Sequence, residues 1–134
     1  MATLLWVSCA TARDPLEGWS KRAQPSSDDR WHHQKEPFYY YWGNIDQAII
    51  KDYESYVENL PAEGRRQVPT KERGNSYADS VNLYEDGTGQ HAITISYWGY
   101  GIWTTPHWTH VLIYDTNNVR IKTIKYKNGH SWHH

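Results

Sequence analysis

The chain has 134 residues, and its 14 Lys and Arg against 15 Asp and Glu leave a formal net charge of −1. That length holds one hydrophobic core rather than two, and charges this closely balanced give no field that would gather nucleic acid. A lone cysteine, Cys9, excludes an internal disulfide, and no run reaches the roughly 20 apolar residues of a transmembrane helix.

Residues 1–12 read MATLLWVSCATA, a short apolar run that closes on a small residue and then Cys9. The pattern resembles the end of a bacterial lipoprotein signal peptide, in which the cysteine after the cleavage site carries lipid. Ser8 fits the small position before cleavage. Trp6 stands where Leu is usual and no basic residue precedes the run, so an irregular N-terminus with an incidental thiol is the competing reading. Residues 13–37 are charged and aperiodic, as in a tether. Within them Trp31, His32 and His33 are adjacent, and adjacent side chains diverge too far to share a metal. Phe38–Trp42, FYYYW, is five aromatics in a row. Such a run predicts a segment laid along a sheet with alternate rings buried.

One amphipathic helix is predicted from Asn44, as N-cap, to about Leu60. Gln47 completes a capping box. Ile45, Ala48, Ile49, Tyr53, Tyr56, Val57 and Leu60 recur at three-and-four spacing, which marks a face turned to the core. Pro61 and Gly64 are read as its stop. Arg65–Tyr77 reads as a polar connector.

From Asp79 to Lys127 the chain alternates strand-like runs with turn residues. Asp86-Gly87-Thr88-Gly89 predicts a hairpin turn. Thr116-Asn117-Asn118 predicts a three-residue loop with Asn118 in the left-handed region. That loop sets Ile113 opposite Ile121. One face then collects Val81, Leu83, Ile93, Ile95, Val111, Ile113 and Ile121 beneath the helix. The other collects Tyr84, Thr94, Ser96, Trp98, Trp108, His110, Leu112, Tyr114, Ile124 and Tyr126. This second face is aromatic with polar tips, so it is either covered by the FYYYW segment or binds a partner.

The eight histidines raise a metal hypothesis, but His107 and His110 point to opposite faces if the segment is a strand. Ser96 and His110 as cross-strand neighbours, with Asp115 on the same hairpin, carry the enzymatic alternative, a small hydrolase or metal-dependent enzyme centred on His110. No nucleophile elbow or phosphate loop accompanies them, and no metal or cofactor is expected. The stronger functional feature is residues 99–107, GYGIWTTPH. Two glycines allow unusual backbone angles there, and Tyr100 and Trp103 sit where water is the usual neighbour. With Trp98, Trp108, His110 and Tyr114 they form a candidate platform for a sugar ring or a partner's apolar side chains. A loop folded back as an edge plug is the alternative.

The stretches YEDGTGQHAITIS and HVLIYDTNNVRIKTIKY resemble a family of small uncharacterised bacterial proteins, many of them predicted lipoproteins. The resemblance covers about residues 84–129. It implies an envelope location, in line with Cys9, and no particular activity. The expectation is therefore an α+β fold, one amphipathic helix on a four-stranded antiparallel β-meander, over residues 38–129. A lipobox-like start and tether fill 1–37, and a frayed tail fills 130–134. The expected role is a non-catalytic binding or structural module, lipid-anchored in the cell envelope through Cys9. Its partners would be a membrane and a glycan or protein, not nucleic acid. A cytoplasmic location is the alternative.

Overall fold

The structure is a computed structural model that describes residues 14–22, 42–43, 45–69, 80–98 and 108–127. Among these residues the order is β1 (Ser20–Lys21), α1 (Gln47–Glu58), α2 (Ala62–Gln67), β2 (Val81–Glu85), β3 (His91–Tyr97), β4 (Trp108–Tyr114) and β5 (Arg120–Lys127). The strands form one antiparallel sheet in the order β1-β2-β3-β4-β5. The α+β class and the antiparallel meander follow the expectation. Among the described residues the sheet has five strands rather than four, and there are two helices rather than one.

The added strand, β1, comes from the stretch read as tether. Ser20 and Lys21 pair with Glu85 and Tyr84, and Arg22 makes an ion pair with Glu85. The turn before it places Leu16, buried, and Trp19, half-buried, against the sheet face away from the helices. These two residues, with β1, are the cover described for that face. Phe38–Tyr41 lie outside the described residues. Trp42, the last of the FYYYW run, is buried on the helix side instead.

Helix α1 is capped by Asp46, whose carboxylate accepts from the Ala48 N–H at 2.7 Å. Asn44, the expected cap, lies outside the described residues. Ile49, Ile50, Tyr53 and Val57 are buried on its inner face, each worth roughly 1.5–3 kcal/mol on leaving water. Tyr53 also donates to the Pro69 carbonyl at 2.8 Å, tying α1 to the chain after α2.

Pro61 and Gly64 do not simply end the helical region. Pro61 is the N-cap of α2, and Gly64 lies inside it. The reason for a glycine there is the neighbouring ring, since a Cβ on Gly64 would stand 3.0 Å from Cε2 and Cζ of Tyr97. Tyr97 is buried, which leaves its ring little room to give way. In an open helix Gly→Ala stabilises by about 1 kcal/mol. Here Gly64→Ala is expected to destabilise by about 1–3 kcal/mol through overpacking, read as a lower urea midpoint. A raised midpoint would mean that the ring can retreat.

The hairpin turns form as expected. Asp86 accepts from the Thr88 and Gln90 N–H groups and the Thr88 hydroxyl, and these bonds hold its carboxyl below the usual range. Asn118 has φ 66°, and Asp115 Oδ1 accepts from the N–H groups of Asn117 and Val119.

The expected registers beyond those turns need correction. Ile93 pairs with Leu112, and Ile95 with His110. Trp108, His110, Leu112 and Tyr114 therefore share the helix side with Val81, Leu83, Ile93 and Ile95, while Val111 and Ile113 lie on the far side with Ala92 and Ile124. At the last hairpin Tyr114 pairs with Arg120, but Ile113 pairs with Lys122, so a bulge leaves Ile121 unpaired. Ile121 is 56% exposed rather than in the core. The Ser96–His110 pairing fails for the same reason. Ser96 faces Thr109, with their hydroxyls 3.2 Å apart, on the side away from His110.

Candidate functional site

His110 stands at the middle of β4, under α1. Its side chain is buried between rings from three elements. The Tyr56 hydroxyl, from α1, lies 2.6 Å from Nδ1, and the Tyr97 hydroxyl, from β3, lies 3.4 Å from Nε2. Trp108, two residues along the same strand, meets the imidazole edge-on with centroids 6.4 Å apart. Either neutral tautomer satisfies this arrangement, with one ring nitrogen donating to one phenol oxygen and the other accepting from the second hydroxyl.

The electrostatics hold the imidazole neutral. Burial, helped by Lys125 on the neighbouring strand, pulls its pKa down to about 4. The phenols shift the other way. Burial, with Glu63 nearby, pushes Tyr97 up to about 12. Tyr56 is raised by burial, against the pull of Arg120. None of these groups exchanges a proton near neutral pH.

A second polar cluster continues the first. Asp52 of α1 accepts from the Tyr114 hydroxyl at 2.6 Å and pairs with Arg120 Nε at 3.0 Å. The Arg120 guanidinium lies 5.0 Å from the centre of the Tyr56 ring. Burial and the Asp52 carboxylate raise the Tyr114 pKa further. The chain Tyr114–Asp52–Arg120–Tyr56–His110–Tyr97 thus joins α1 to β3, β4 and β5. It is a clasp between helix and sheet.

The six platform residues consequently separate. His110 and Tyr114 are interior. Trp108 is half-buried beside them, with Lys127 Nζ 5.7 Å from its ring centre. Trp98 remains outside, 37% exposed. Tyr100 and Trp103 lie outside the described residues, as do Cys9 and His107. Among the described residues no group of three or more His, Cys, Asp or Glu could hold a metal ion, and no helix is long and apolar enough to cross a membrane.

Sequence reasoning missed the device that holds Trp98. The Gln67 side chain donates to the Trp98 carbonyl and accepts from the Trp98 N–H, both at 2.8 Å. The amide thereby imitates a partner strand for one residue. It anchors the start of the 98–108 connection to α2, while Trp108 pairs with Tyr97 at its end. A Gln in a segment read as polar connector gave no sign of this.

Compared with protein-family models, with curated proteins and with solved structures, the chain matches none.

Proposed function

We propose that this chain is a non-catalytic binding domain of the bacterial cell envelope, held at a membrane by lipid on Cys9, that reads its partner with the Trp98–Trp108 connection. The supporting observation is the treatment of Trp98. Most large apolar side chains of β3 and β4 are buried, yet Trp98 is exposed and its backbone is clamped on both sides by Gln67. An exposed indole on a backbone held in place, at the start of a connection whose sequence carries further aromatics, suits stacking on a sugar ring or a partner's apolar side chain.

The enzymatic alternative draws no support from His110. Both its ring nitrogens are already directed at phenolic hydroxyls, and Ser96 lies across the sheet.

Trp98→Ala tests the reading. The melting temperature should stay within about 2 °C of wild type, while binding to a soluble glycan panel should weaken more than tenfold, as for loss of a central aromatic anchor. A fall of several degrees with no binding change would make Trp98 a structural plug. The anchor is tested separately. Wild type expressed in a bacterium should partition with membranes and carry lipid on Cys9, whereas Cys9→Ser should not. An unlipidated, soluble wild type would sink the envelope assignment.

A further inference from the structure

The sheet ends on its most basic strand. Among the described residues β5 is outermost, eight residues long, and reads RIKTIKYK. It carries Arg120, Lys122, Lys125 and Lys127 and no acidic residue, in a chain whose net charge is −1. Arg120 is committed to Asp52 and Tyr56, and Lys127 lies over Trp108. Lys122 and Lys125 are exposed. They flank the edge from opposite sides, because Lys122 pairs with Ile113 of the far face and Lys125 with His110 of the helix face. The nearest turn acid, Asp115, is taken up by its own hairpin.

An outer strand offers backbone donors and acceptors to a further strand, and lysines on it are a device against unwanted pairing. The device is selective. A second copy of β5 would bring basic residues against basic residues, and a neutral strand would leave Lys122 and Lys125 without an opposite charge from the partner. A strand bearing acids on both faces would answer Lys122 and Lys125 while completing the ladder. The bulge adds an apolar mark at one end, since Ile121 and Val119 are 56% and 58% exposed beside the basic row.

We propose that the outer edge of β5 is a docking site for an acidic, extended polypeptide segment of a partner protein, which adds to the sheet as a sixth strand. This surface is separate from the Trp98 connection, so either proposal can fail without the other.

The test uses the full chain and a soluble ten-residue peptide that alternates Glu with Thr, beside the same peptide with Gln for Glu. Binding is followed by backbone amide shifts and hydrogen exchange at Lys122–Lys125. The Glu peptide should bind and slow exchange of those amides. The Gln peptide, and the double variant Lys122→Glu with Lys125→Glu, should each weaken binding at least tenfold. Both lysines are exposed, and the folded state of the variant is checked by its melting curve. Trp98→Ala should bind the Glu peptide as wild type does. Absence of binding, equal binding of the Gln peptide, or binding without amide protection would overturn the proposal. So would vesicles of phosphatidylglycerol perturbing the same amides while the peptide does not, because the edge would then be reading a lipid surface.

Discussion

Leu112→Ala and Ile95→Ala are each expected to lower unfolding free energy by about 2–5 kcal/mol, while Ile121→Ala changes it by no more than about 0.5 kcal/mol. Leu112 and Ile95 have 0% exposure and pack under α1, so truncation leaves a cavity that a close-packed core cannot fill. Ile121 is 56% exposed on the bulge and has little to lose. Ile113 is 9% exposed in the smaller far-side cluster and should fall between. Denaturant midpoints at unchanged slope measure all four. A costly Ile121→Ala beside a mild Leu112→Ala would restore the unbulged register, with Ile121 opposite Ile113 and the β4 faces exchanged.

That register was the point at which the sequence stopped being readable. The helix stripe, both hairpin turns and the meander order were legible, because each rests on local chemistry: helical spacing, an Asp-Gly turn, an Asn with positive φ. The faces of β4 were not. Every residue of 109–114 is buried, so WTHVLIY carries no alternation from which to choose a parity. The connection from β3 spans 98–107, too long for a turn type to impose one. The bulge then took Ile121 out of the core, although the Thr116–Asn118 loop had been placed correctly, while Ile124 and Tyr126 kept their expected side, on the far face. Gly64 was visible as a helix breaker, but its actual constraint is the Tyr97 ring, which only the fold brings near. For the candidate site, Trp98 and Trp108 were legible as the two ends of a connection, but nothing in the sequence showed that Trp98 stays outside while Trp108 is half-buried beside His110. His110 and Tyr114 were noticed for their chemistry and assigned to the wrong layer. Their partners, Tyr56 and Asp52, lie more than 50 residues away in sequence, on a helix whose tyrosines read simply as core.

His110 gives the other large effect, an acid-labile clasp. In an unfolded chain the imidazole titrates near 6.5, and in the folded protein near 4. The folded state therefore excludes a proton that the unfolded state accepts. Its contribution to stability is complete above about pH 6.5 and is lost as pH falls from there towards 4. A shift of this size corresponds to about 2–3 kcal/mol after allowance for partial solvent screening. The groups facing the ring explain the sign. Tyr56, Tyr97 and Trp108 supply no negative charge, Lys125 repels a cation, and Arg120 stands just beyond Tyr56. Asp52, the nearest carboxylate in the network, is already engaged by Tyr114 and Arg120. Protonation would also make both ring nitrogens donors, forcing the hydroxyl that donates to the ring to give up that bond. His91, held low by burial and Arg22, adds a slope of the same sign, so the wild-type profile alone does not isolate His110. Denaturant unfolding of wild type and His110→Gln between pH 7.5 and 4.5 does, since His91 and Asp86 are common to both. Gln can still hydrogen-bond both hydroxyls but takes up no proton. Wild type should lose about 1.5–2 kcal/mol more than the variant across that window, even if the variant starts lower at pH 7.5. Parallel profiles would show that the imidazole is not held neutral by the clasp.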